Sequence, residues 1–203
     1  MADYFALFNE PRRPWVDPDW LKQKFIAQSS AVHPDHVHSA EAPVRLLAQQ
    51  RYTELNSAYL CLREPRDRLR HLLELELGRK PADLQEMPAD LAELFIEIAG
   101  VYDGADGFLA KYSGITSPLL RAQNFAGVRM WTDRLTGLQQ AIAAKRNQLL
   151  AQLQSLDTIW QAHANDPAAR AALLPELETI CRQLGFFSRW NGQIQERLFR
   201  LML

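Results

Sequence analysis

The sequence predicts an all-α chain, with an N-terminal antiparallel helical hairpin followed by an antiparallel helical bundle. Three observations carry this. Apolar residues recur at three- and four-residue spacing over nearly the whole length, the period of a helix face. The strict alternation of a half-buried strand occurs nowhere. Proline, twice behind an aspartate, heads several of the periodic runs, at Asp17-Pro18, Pro43 and Asp166-Pro167. A first-turn proline costs no intrahelical hydrogen bond, and aspartate before it is a good N-cap.

Taken in order, Asp3 to Phe8 is a short apolar turn of helix, and Asn9 to Asp17, with Pro11, Pro14 and two adjacent arginines, is a loop. The helix after Asp17 carries Leu21, Phe25 and Val32 on one side and ends at His33, because the residue before a proline is pushed out of the α region. The polar stretch from His33 to Ala42 is the hairpin loop. Pro43 restarts a helix whose stripe is Ala48, Tyr52, Leu55, Tyr59 and Leu62, a four-three-four-three spacing suited to an antiparallel partner. Pro65 ends it. A further helix from about Arg66 to Leu77 turns Leu69, Leu72 and Leu73 inward and closes at Gly78, with Arg66, Arg68 and Arg70 on a solvated face.

Arg79 to Pro88 reads as the joint between an N-terminal domain, residues 1–79, and a C-terminal bundle, residues 80–203. A helix from about Ala89 presents Leu91, Leu94, Phe95 and Ile98 inward, and Gly100, Gly104 and Gly107 weaken its far end. After a turn at Gly114 to Pro118 comes the longest pattern: Val128, Trp131, Leu135, Leu138, Ile142, Leu149, Leu153, Leu156 and Trp160, interrupted by Lys145 and Arg146. One helix from Pro118 to Ala164 would be about 70 Å long, with Gly127 and Gly137 as the places for a kink. Asp166 and Pro167 start the next helix, Pro175 breaks and restarts it, and Leu177, Cys181, Leu184, Phe187, Ile194, Leu198 and Leu201 carry the stripe onward. Phe186 and Trp190 belong to the same core, and the apolar end from Leu198 packs. Three helices with matching stripes make an antiparallel bundle.

The bulk properties exclude several function classes. The chain has 203 residues, 47% hydrophobic and 23% charged, with a formal net charge of −1. Bulk binding to nucleic acid or to an anionic membrane is not expected at that balance. No stretch reaches the length of a membrane span, and Met1 to Phe8 is not a secretory signal, so a cytoplasmic protein is expected. Cys61 and Cys181 are far apart, both in apolar-periodic segments, and read as buried free thiols.

The triplet His33-Pro34-Asp35 stands between two amphipathic helices. With Asp3-Tyr4-Phe5-Ala6-Leu7-Phe8 before it and Asn56-Ser57-Ala58-Tyr59 and Leu62 after it, the segment resembles a J domain. The early Tyr-Phe-Ala-Leu-Phe and the run from Pro65 through Arg68-Leu69-Arg70-His71-Leu72-Leu73 to Gly78 are similar to the HscB-type co-chaperones of iron–sulfur cluster assembly. That resemblance implies no enzyme and no cofactor. It implies docking on a DnaK-type (HscA-like) chaperone through His33, Pro34 and Asp35, with Lys22 and Lys24 steering, and stimulation of that chaperone's ATPase. The chemistry suits such a role. Pro34 stiffens the loop, Asp35 can accept a bidentate arginine, and His33 adds a donor or acceptor. Gln28, Ser29, Ser30 and His36 stand where basic residues are usual in the family.

The resemblance further implies that the bundle's first helix meets an iron–sulfur scaffold protein as client, through Leu91, Leu94 and Phe95. Ile96, Ala99 and Gly100 occupy the region where acidic partners are usual, with Glu93 and Glu97 nearby. Two other readings remain beside this one. The chain is a J-like interaction protein without chaperone activation, or His33, Asp35, His36 and His38 form a metal-binding loop. A catalytic pairing of His33 and Asp35 with Ser29 or Ser39 has little behind it, since triads are assembled from distant segments. Monomer and dimer are both compatible with long amphipathic helices.

Overall fold

The computed structural model describes residues 2–33, 41–81, 88–114 and 117–202. Among these there is helix and no strand: α1 Tyr4–Leu7, α2 Pro18–Ala31, α3 Ala42–Arg63, α4 Pro65–Leu77, a 3-10 turn Ala89–Leu91, α5 Ala92–Tyr112, α6 Pro118–Gln123, α7 Phe125–Ala162, α8 Pro167–Ala171 and α9 Leu174–Met202.

The helix starts follow local chemistry. The Asp3 carboxylate accepts from the Phe5 and Ala6 amides, that of Asp17 from the Trp20 amide at 2.7 Å, and that of Asp166 from the Ala169 amide at 3.0 Å. Each satisfies a backbone donor the helix itself leaves unpaired. Gly78 ends α4 at φ +66, in the left-handed region glycine enters without a Cβ penalty.

The chain forms two compact units. The first joins residues 1–83 to 150–182, and the second joins 84–149 to 183–203. Neither is one continuous stretch, so the linear division at 79/80 does not coincide with the compact units. α7 and α9 each contribute residues to both. The interruption of the long stripe at Lys145 and Arg146 falls just before α7 passes from one unit to the other.

In the first unit α3 packs against α1, α2 and α4. Phe5, Phe8, Leu21, Leu55, Leu62, Leu69, Leu72 and Leu73 are fully buried. Phe25 of α2 stacks on Tyr59 of α3 with ring centroids 4.4 Å apart. The core of the second unit comprises Leu94, Ile98, Ala105 and Leu109 of α5, Leu135, Leu138 and Ile142 of α7, and Phe187, Trp190, Ile194 and Leu201 of α9, together with Leu91 and Phe186. Tyr102 of α5 donates to the Trp190 carbonyl at 2.8 Å, and Gln139 of α7 donates to Asn191 of α9 at 2.8 Å.

Three expectations are corrected. The predicted helix from Pro118 breaks at Asn124, not at Gly127 or Gly137. There the Leu120 carbonyl is shared between the Asn124 backbone amide at 3.2 Å and the Asn124 side-chain amide at 2.8 Å, a local distortion of the ladder. Arg68 does not lie on a solvated face: it is 2% exposed. Cys61 and Cys181 form no disulfide and are only half-buried, each thiol donating to a backbone carbonyl, of Asp67 and Arg66 respectively.

Candidate functional site

The hairpin of α2 and α3 positions the triplet. Leu21 of α2 and Leu55 and Leu62 of α3 fill the interior, which turns Lys22 and Lys24 outward. Both lysines are exposed, and Lys24 Nζ lies 5.5 Å from the centre of the Trp20 ring. His33 follows the last turn of α2, and its ring meets Tyr52 of α3 edge-on at 5.4 Å. Pro34 and Asp35, with the rest of the loop to Ala40, lie outside the described residues, as does the metal-ligand reading of Asp35, His36 and His38.

Behind the hairpin sits a polar framework that the sequence pattern does not announce. Arg68 of α4 donates to the Pro14 carbonyl at 2.9 Å and the Leu62 carbonyl at 2.7 Å, and its guanidinium lies over Trp15 at 5.4 Å. Burial pushes its pKa down to about 10, so it stays charged at neutral pH. His71 accepts the Tyr4 amide at Nε2, 3.1 Å away, and stacks on the Tyr4 ring at 4.6 Å. Burial holds its pKa below the ordinary value.

The loop ahead of α2 is tied to α7 in the same unit. Asp157, 3% exposed, accepts from both Arg13 and the Trp15 amide. Trp160 Nε1 donates to the Arg12 carbonyl at 2.8 Å. The one sequence hint was Asp157 itself, which stands one residue after Leu156 and three before Trp160, beside the apolar stripe. The arginine pair in the proline-rich loop supplied its partner.

Of the three expected client contacts in the second unit, two are committed to the core. Leu91 and Leu94 are 3% and 6% exposed, because they form the start of α5's inward stripe. Phe95, expected inward as well, is 45% exposed and keeps surface to offer. Ile96, Glu93 and Glu97 are exposed beside it.

Comparison with known proteins agrees with this architecture. No protein-family model matches the chain. A co-chaperone protein HscB homolog from Bordetella pertussis is 42% identical over 72 residues, 36% of this chain and 42% of that protein. One from Vibrio cholerae is 35% identical over 74 residues, 36% of this chain and 43% of that protein. The matches thus span less than half the length of these relatives. Chaperone HscB from Vibrio cholerae superposes with a TM-score of 0.58 at 22% identity, covering 96% of both chains. The chain is HscB-like. Human co-chaperone HscB gives a TM-score of 0.63 at 18% identity over 96% of this chain and 81% of its own. The HscB fold, a J domain followed by a C-terminal helical domain, is therefore the fold found here. None of the helices described is long and apolar enough to cross a membrane.

Proposed function

We propose that this chain is a cytoplasmic J-domain co-chaperone that stimulates ATP hydrolysis by a DnaK-type (HscA-like) chaperone and does no covalent chemistry itself. The observation that carries the reading is the placement of His33-Pro34-Asp35 between α2 and α3 of an HscB-like hairpin. Differential binding to one state of the chaperone would shift its population toward the hydrolysis-competent form. His33, Pro34 and Asp35 act as the trigger, and Lys22 and Lys24 steer the approach. In this reading residues 1–79 serve as the J domain, held from behind by Asp157 and Trp160, and residues 80–203 serve as the client-binding part.

The client surface is the exposed start of α5. Phe95 and Ile96, flanked by Glu93 and Glu97, suit an apolar segment with basic neighbours, and the HscB-like architecture favours an iron–sulfur scaffold protein as that client. Single-turnover ATP hydrolysis by the cognate chaperone tests the trigger. Wild type should accelerate it severalfold, and His33→Gln and Asp35→Asn should each abolish the effect while retaining the wild-type melt. Full stimulation by Asp35→Asn would exclude the assignment.

A second reading is a J-like interaction protein that has lost chaperone activation. It is favoured by the thin basic face of α2, where Gln28, Ser29 and Ser30 follow Lys22 and Lys24. Folded wild type that stimulates none of the DnaK-type chaperones of its own cell would select it.

A further inference from the structure

Charge is segregated along the second unit. Residues 83–110 contain seven acidic residues and no basic one, whereas residues 111–134 contain four basic residues and one acidic. Asp106 is paired with Arg197 and Arg200 of α9, and two groups of unpaired charge stand at opposite ends of α5. Glu93 and Glu97 lie in the first turns of α5, and Lys111 lies in its last turn, about 27 Å away along the axis. α7 starts beside that last turn. A Cβ on Gly127 would lie 2.6 Å from the Phe108 ring and one on Gly104 2.2 Å from Trp131, so helix faces meet closely there.

Each surface also has its own exposed apolar side chains. Ile96 is 71% exposed between Glu93 and Glu97. At the other end Phe125 is 67% exposed, with Leu119 and Met130 also exposed and Lys111 and Arg129 nearby in sequence or fold. Among the described residues Glu93, Glu97 and Lys111 make no ion pair, and Arg129 has only Asp133 at 3.9 Å, with both side chains about three-quarters exposed. These charges are not consumed inside the unit.

We propose that the acidic–apolar face of α5 (Glu93, Ile96, Glu97) docks on the basic–apolar face at the start of α7 (Phe125, Arg129, with Lys111) of a second copy of this chain, in a head-to-tail association. A second copy is the occupant for which both complementary halves are present. Apolar contact supplies the attraction, and opposed charge fixes the register and speeds encounter. The contact is heterologous, because the two faces differ, so it propagates instead of closing into a two-fold dimer. The small area places it among weak, transient interfaces. The α5 face is the one assigned above to the client, so self-association and client docking exclude each other, whereas the trigger at His33-Pro34-Asp35 takes no part in it.

Sedimentation velocity of the full chain from micromolar to millimolar concentration tests it. The mean mass of wild type should rise past that of a dimer, and raising salt from about 0.05 M to about 0.5 M should weaken association severalfold. Ile96→Lys and Phe125→Glu change exposed side chains and should keep the wild-type melt, while each alone remains monomeric. Their equimolar mixture retains one intact pair of faces and should form a heterodimer that grows no further. Wild type that stays monomeric overturns the proposal, as does a mixture that fails to associate. Self-association that survives in both single variants also overturns it, and so does binding to vesicles of anionic lipid with no self-association.

Discussion

In the first unit the loop ahead of α2 is held by charged groups taken out of water, Arg68 on two carbonyls and Asp157 on Arg13 and a backbone amide. In the second unit α5, α7 and α9 are held chiefly by aliphatic and aromatic packing, with glycines setting the spacing. The polar joints there, Arg197 with Asp106, Tyr102 with the Trp190 carbonyl and Gln139 with Asn191, run between regular helices. The contrast follows from what each has to bury. The first unit must cover an irregular, proline-rich loop whose backbone groups have no helical partners, and buried polar groups need specific hydrogen bonds. The second must cover only regular helices, which satisfy themselves. Specific polar joinery is sensitive to losing one partner, whereas apolar packing is sensitive to volume.

The largest effect should come from Asp157→Ala. It strands Arg13 and the Trp15 amide together, and removing one member of a buried charge pair costs about 3 kcal/mol at the low end. The low end applies because Arg13 keeps some solvent and Glu10. Urea denaturation followed by tryptophan fluorescence would measure it. A loss no larger than that of an exposed ion pair, below about 1 kcal/mol, would break the contrast between the units.

A glycine pair sharpens the other side. Gly104→Ala gains up to about 1 kcal/mol of helix propensity but drives a methyl into Trp131, an overpacking cost of about 1–3 kcal/mol, so it should destabilise on balance. Gly107→Ala in the same helix meets nothing within 4 Å and should stabilise. Opposite signs in the two thermal melts are the expected outcome. Equal signs would mean that Trp131 relaxes freely and that spacing is not what fixes α5 against α7.

The fold was legible where one residue type dictates one local geometry. Asp17-Pro18, Pro43, Asp166-Pro167 and Gly78 marked ends that the structure shares, and the stripes through Leu55 and Leu62, Leu135 and Leu138, and Leu177 and Leu184 became core. Legibility failed where a residue acts against its usual partition. An arginine at Arg68 is read as solvated because arginine is almost never fully buried unless paired. Its partners, the carbonyls of Pro14 and Leu62, belong to a loop and a helix end brought close only by the fold. At the candidate site, His33 follows the last turn of α2 and meets Tyr52, while the periodicity of α5 put Leu91 and Leu94 in the core. Phe95, at the edge of the same stripe, stays on the surface.

The smallest effect is one of pH, and it belongs to the first unit. His71 uses a bare Nε2 to accept the Tyr4 amide, so the folded state wants the neutral ring, and burial lowers its pKa from the ordinary 6.5. In acid the unfolded chain takes up this proton before the folded one does. The stability it contributes is therefore complete above the unfolded value and is lost as pH falls from there through the lowered folded value. Denaturation at about pH 7.5 and about pH 5.5 should show wild type losing stability on that descent, and His71→Gln, which keeps an acceptor but cannot titrate, losing less. In the second unit Tyr102 titrates far away, pushed up to about 12 by burial, so it contributes nothing over that range. An identical decline in wild type and His71→Gln would assign the acid sensitivity to the Asp3 carboxylate, which sits below its ordinary value beside Arg12, and with it the joint between α1 and α4 would lose its claim to be held by a neutral histidine.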